Sequence, residues 1–168
     1  GTLDLMTAVY GDKYSRKELK IMTDDKEIIF REIYKNNVVP IAGFMEMFEL
    51  IKSKKILVGI ASNAIRKNVK MILSELKIYE EFDSIICGDE VRRGKPDPEM
   101  FNETVDRFNL KKEKCLIFED SVEGVTAAAN SKVGVIGITS STSGKILIDK
   151  GCKTTIDNYL NFDMSIYG

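Results

Sequence analysis

The rhythm of apolar and polar positions changes once along this chain, near Val39-Pro40. Before that point apolar residues recur at Leu19, Met22, Ile29 and Ile33, with Ile21, Ile28 and Phe30 widening the stripe. The spacing predicts an amphipathic helix from Ser15 to about Asn36, and Ser15 followed by Glu18 supplies a capping box at its start. The charged residues between the apolar positions read as its solvated face. After Pro40, short apolar runs alternate with amphipathic segments. Phe44, Met47, Phe48 and Ile51 share one helical face, as do Ile65, Val69, Ile72 and Leu76, and then Phe101, Val105 and Phe108 after Pro98. Strands are predicted at 56–61, 84–87, 115–118, 133–138 and 154–156, with further helices at 121–131 and 143–150. Strands that are apolar on both faces and separated by helices indicate an α/β, Rossmann-like parallel sheet with helices on both faces. In such a sheet the active site lies beyond the carboxyl ends of the strands.

Composition narrows the chemistry. At 168 residues and 43% hydrophobic content the chain can bury one core without disulfides. No run approaches 18 apolar residues, so no membrane span is expected, and there is no pattern of a secretory leader. Net charge is −1, which leaves no electrostatic footprint for nucleic acid. The three cysteines, Cys87, Cys115 and Cys152, form no CxxC pair and suit a reducing cytoplasm. Histidine is absent, which removes Ser-His-Asp and Cys-His catalysis and every His-containing metal site.

Three strand ends carry polar clusters. Ile60-Ala61-Ser62-Asn63 ends a buried strand at a hydroxyl and an amide just before a helix. Taken alone, this pattern reads first as a helix N-cap, and the same geometry also serves as a phosphate-binding turn. In Arg93-Gly94-Lys95-Pro96-Asp97-Pro98, two prolines stiffen a loop that could deliver one ammonium to a fixed point; the same residues would also make an ordinary surface turn. Because Lys95 lies on a loop, replacing it is expected to cost activity and little stability. Ile117-Phe118-Glu119-Asp120-Ser121 places two carboxylates side by side at the end of a buried strand. They could complement a helix dipole. They also have the hard oxygen ligands that Mg²⁺ takes alongside water and phosphate. Together, a hydroxyl, a lysine and an acidic pair on three strand ends describe a phosphoryl-transfer site, where charge neutralisation and positioning do most of the catalysis.

These segments resemble the haloacid dehalogenase-like (HAD) hydrolases, particularly the beta-phosphoglucomutase-like phosphatases. Ile60–Asn63 is similar to the family's second motif, and Gly94-Lys95-Pro96-Asp97-Pro98 with Phe101 to its third. Phe118-Glu119-Asp120-Ser121 with Gly124 is similar to its fourth, and Pro40-Ile41-Ala42-Gly43 to the segment that re-enters the core from a helical cap. The resemblance implies a partial cap over residues 1–38 and a HAD-like core over 39–168. It further implies that Ser62 and Asn63 bind phosphate, that Lys95 bridges phosphate and nucleophile, and that Glu119 and Asp120 hold Mg²⁺, with Ser121 and Gly124 in support. The implied substrate is a small phosphorylated metabolite.

One departure is large. The family's nucleophile is the first Asp of an Asp-x-Asp motif on an N-terminal strand, and no Asp-x-Asp occurs in this sequence. That strand is central in the family, between the strands expected here at 56–61 and 115–118. The chain therefore reads as a truncated Mg²⁺-dependent phosphatase or phosphomutase that is inactive as it stands. The alternative is an inactive phosphate- and metal-binding or regulatory fragment of the same fold. A receiver-like signalling domain fits less well, because its acidic pair would precede the hydroxyl and the lysine. Unpaired backbone groups on two buried edges would cost about 1–3 kcal/mol each. The gap is thus expected to be filled by an N-terminal segment or by a partner's strand, or else closed by direct pairing of its flanking strands.

Overall fold

The computed structural model describes residues 2–160, 162 and 163. The chain opens with two helices, α1 (Thr2–Tyr10) and α2 (Arg16–Tyr34), which pack on each other. The capping box forms as the sequence predicts. Ser15 Oγ accepts from the Glu18 N–H, and the Glu18 carboxylate accepts from the Ser15 N–H at 2.8 Å. Such a cap stabilises a helix by about 1 kcal/mol. α1 lacks a periodic pattern and forms by docking on α2, since so short a helix is marginal alone. The predicted stripe on α2 is covered only in part: Leu19 is buried, whereas Ile29 and Ile33 are 53% and 62% exposed.

α2 meets the rest of the molecule through polar groups. Asn68 is buried; its Nδ2 donates to Glu27 Oε2 at 2.5 Å and its Oδ1 accepts from Arg31 Nη1 at 2.7 Å. Burial pushes the Glu27 carboxyl up, but Lys26, Asn68 and Arg31 together outweigh it and hold it below its ordinary value.

Thereafter helices and strands alternate: α3 (Phe44–Ser53), β1 (Gly59–Ser62), α4 (Arg66–Glu75), β2 (Ser84–Cys87), α5 (Glu99–Phe108), β3 (Leu116–Glu119), α6 (Val122–Ser131), β4 (Gly134–Ile138), α7 (Gly144–Asp149) and β5 (Thr154–Ile156). The first strand starts later than its apolar run suggests. Lys55 takes a left-handed conformation (φ 57°), and the Ile56 N–H turns back to the Ile51 carbonyl at 3.2 Å. Ile56 is thereby spent on closing α3, and hydrophobicity alone does not register that wrap.

All strand pairs are parallel, but the expected single sheet is divided. β1 pairs with β2, from Gly59 opposite Ser84 to Ser62 opposite Cys87. β3, β4 and β5 form a second sheet in that order. Among the described residues no strand pairs with the remaining edge of β1 or β3, and the two do not pair with each other. Burial follows this division. β2 is buried throughout and β4 nearly so, whereas every residue of β1 and β3 is partly or fully accessible. Inner strands of a continuous sheet would be the most enclosed; here they are the most open.

The two sheets nonetheless share a core. Phe101 of α5, Val125 and Ala128 of α6, and Val135 of β4 form one buried cluster, against which both Ala61 of β1 and Ile117 of β3 pack. Across the opposite face runs a chain of aromatic contacts. Tyr159 meets Phe44 at 5.8 Å and Phe118 at 5.4 Å between ring centroids, and its N–H donates to the Ala42 carbonyl at 2.9 Å. Gly43 is required there (φ 78°), because a Cβ would lie within 2.7 Å of the Tyr159 backbone.

Candidate active site

A cleft of about 480 Å³ opens at the carboxyl ends of β1 and β3. Ser62 and Asn63 line it from one sheet, Glu119 and Asp120 from the other, with Lys95 and Tyr159 completing the wall. The three polar clusters named from sequence therefore converge, although they lie on separate sheets.

Ser62 ends β1, and its Oγ accepts from the Ala64 N–H at 3.2 Å. That leaves the hydroxyl proton available to a ligand oxygen. Lys95 reaches inward. Its side chain is 8% exposed and pairs with Glu119, whose side chain is 9% exposed. The ammonium also lies 4.8 Å from the centroid of the Phe101 ring. Lys95 is thus a buried ion-pair member on a loop, a setting in which removing the ammonium would leave the Glu119 charge without compensation. The other Glu119 oxygen accepts from Ser121 Oγ at 3.2 Å, and Ser121 Oγ in turn accepts from the Gly124 N–H at 3.0 Å. Ser121 is accordingly the N-cap of α6. Gly124 is needed because a Cβ there would overlap the Glu119 carboxylate.

Asp120 faces a different set of groups. Its Oδ2 accepts from Ser140 Oγ at 3.0 Å and Ser141 Oγ at 3.1 Å. Among the described residues the ion pairs give it no cationic partner. Ser140 and Ser141 follow β4, and the strand-end rule applied to the run Thr139–Ser143 would have found them. Tyr159 was likewise not signalled, because it lies beyond the last predicted strand. Burial, and then the charges of Asp120 and Glu119, push its phenol up to about 12.

Mg²⁺ needs only one or two carboxylates when water and phosphate complete its shell. The donor set fits that demand in an uneven way: Asp120 has neutral hydroxyl partners and an unneutralised charge, whereas Glu119 is held by Lys95. No group of three or more acidic or cysteine ligands converges among the described residues. Asn63 presents its side chain to the backbone of Lys95 and not to the cleft centre: Oδ1 accepts from the Lys95 N–H at 2.8 Å, and Nδ2 donates to the Lys95 carbonyl at 3.2 Å.

Comparison with known proteins identifies the fold and the family. The chain is 34% identical over 134 residues to a phosphorylated carbohydrates phosphatase of Thermotoga maritima, covering 79% of this chain and 60% of that protein. The fold is that of a family IA HAD hydrolase from Entamoeba histolytica, with a TM-score of 0.87, 23% identity, and coverage of 99% of this chain and 77% of the other. A beta-phosphoglucomutase from Clostridium difficile superposes with a TM-score of 0.82 at 20% identity, over 99% of this chain and 74% of that one. The model of the haloacid dehalogenase-like hydrolase family matches residues 4–138. With two parallel sheets, strand-end polar groups and a match over most of its length, the chain belongs to the haloacid dehalogenase-like hydrolases.

Proposed function

We propose that this chain carries the phosphate- and Mg²⁺-binding side of a phosphohydrolase for small phosphorylated metabolites, and that the attacking carboxylate arrives on a strand seated between β1 and β3. The observation that supports this most is that, among the described residues, the inner edges of β1 and β3 have no strand partner and flank a cleft that already holds a hydroxyl, an ammonium and an acid pair. A parallel strand there would satisfy both edges and bring its carboxyl-terminal residues between Ser62 and Glu119. The phosphatase name of the 34% identical relative supports the substrate class.

In this reading the Ser62 hydroxyl donates a hydrogen bond to a phosphoryl oxygen, and Lys95 neutralises the charge that accumulates there. The incoming carboxylate would displace the substrate alcohol and form an acyl phosphate, which water then cleaves. This splits one hard displacement into two easier ones. Bound Mg²⁺ would supply charge neutralisation between carboxylate and phosphate oxygens. Asp120, oriented by Ser140 and Ser141, and Glu119 would hold it. Asn63 would contribute its main-chain N–H to the phosphate. The three free cysteines suit a reducing cytoplasm.

The test is hydrolysis of p-nitrophenyl phosphate with Mg²⁺, by the chain alone and with an added apolar peptide ending in Asp-x-Asp-Gly-Thr. No turnover alone and turnover restored by the peptide, but not by its Asn-x-Asp form, is the expected result. Turnover by the chain alone, abolished by Asp120→Ala, would refute the assignment of the nucleophile.

A further inference from the structure

We infer that Asn63 is a positioning residue for Lys95, acting as a two-point clamp on the lysine's own backbone. The inference rests on the reading of Lys95 as the phosphate-neutralising group. Lys95 belongs to a loop, and a loop by itself does not hold a long side chain in one place. Glu119 and Phe101 meet the ammonium, and Asn63, 32 residues away, fixes the backbone from which the side chain springs. Its carboxamide offers one acceptor and one donor, and both are used by a single residue: the Lys95 N–H donates to Oδ1 at 2.8 Å and the Lys95 carbonyl accepts from Nδ2 at 3.2 Å. Such pairing has the form of one rung of a sheet ladder, with a side chain replacing a strand.

Two glycines are shaped around this clamp. At Gly94 a Cβ would lie 2.7 Å from Asn63 Oδ1 and 3.4 Å from its Cγ, so any larger residue would push the carboxamide off Lys95. At Gly88 a Cβ would lie 2.8 Å from the Asn63 carbonyl carbon, so the backbone from which the clamp springs is also closely packed. The Gly88 N–H donates to the Ala64 carbonyl at 3.0 Å, which ties the loop after β2 to the end of β1. The clamp thereby couples the end of β1, which carries Ser62, to the loop that carries Lys95. The hydroxyl and the ammonium are then held as one unit.

The chemistry of the clamp is specific to asparagine. Aspartate has the same shape but only acceptors, so it would set a carboxylate against the Lys95 carbonyl and lose the second contact. Alanine would remove both.

The test uses the whole chain and reads Lys95 directly, without requiring turnover. Amide hydrogen exchange at Lys95 and the site-specific rate of Lys95 acylation are compared in wild type, Asn63→Asp and Asn63→Ala, with global stability followed by urea unfolding. Losing one hydrogen bond should accelerate Lys95 exchange by roughly two- to tenfold and losing both by more, with Lys95 acylation also faster. Exchange elsewhere in the β-strands should be unchanged. Equal acceleration across the strands would mean that Asn63 stabilises the fold generally, and unchanged Lys95 exchange would mean that the clamp is absent; either overturns the inference. Inorganic phosphate binding with Mg²⁺ is measured in parallel. Weakening by Asn63→Asp, with no further loss when Lys95→Met is added, supports positioning. If wild type binds no phosphate, the functional reading of Lys95 fails, while the exchange data still decide the clamp.

Discussion

Removing the Lys95 ammonium tests whether the ion pair at the centre of the cleft is as enclosed as its geometry indicates. Both partners are more than nine-tenths buried, at 8% and 9% exposure, so solvent screening offers little relief. Breaking a buried pair from one side costs about 3–5 kcal/mol, because the remaining charge is left without compensation. In Lys95→Met the side chain keeps its reach over the Phe101 ring but loses the cation–π contact, adding about 0.5–2 kcal/mol. Against a typical domain stability of about 5–15 kcal/mol, this is a large fraction. For a chain of this size, 3–5 kcal/mol corresponds to a fall in Tm of roughly 6–20 °C. The assay is urea unfolding of Lys95→Met, Glu119→Gln and the double variant. The double variant removes both charges, so it should lose less than the sum of the single losses, with a coupling of about 1–3 kcal/mol. Losses that add within about 0.5 kcal/mol would refute the argument, since independent sites behave that way.

Two further outcomes are expected. Gly124→Ala should destabilise by about 1–3 kcal/mol despite the higher helix propensity of alanine, because its methyl group displaces the Glu119 carboxylate. Gly134→Ala, whose methyl would meet its nearest neighbour at 3.7 Å, serves as the urea-unfolding control. The second outcome concerns acid. Hydrogen bonds from the Arg66 guanidinium hold the Glu90 carboxyl below its ordinary value. The native state therefore binds fewer protons than the unfolded chain. Its stabilisation is complete above the unfolded pKa of about 4.3 and is lost as pH falls through the lower folded value. Urea midpoints measured from neutral pH down to about pH 3 should fall in that acid range, and Glu90→Gln should flatten the fall.

Most of the local order of this protein is legible in its sequence. The period of its apolar residues is enough for α2 and for the alternation of strand and helix after Pro40, and the Ser15–Glu18 capping box is a short-range contact that four residues specify. The polar strand ends are legible for a similar reason: charged and hydroxyl groups that interrupt a buried strand must have partners. Other features depend on residues far apart in the chain. The sequence leaves Lys95 either a surface-turn residue or a cation delivered to the cleft, and it is Glu119 and Asn63, 24 and 32 residues away, that close around it together with the nearby Phe101. Ser140 and Ser141 become partners of Asp120 only because β4 lies beside β3. The division of the sheet is of the same kind. A strand's apolar run states that it will be buried, but which edges find a partner is settled by how α5 and α6 bring β1 and β3 to one core without bringing them into register with each other. Sequence periodicity is a property of single elements, whereas edge pairing and ion-pair burial are properties of the space between them.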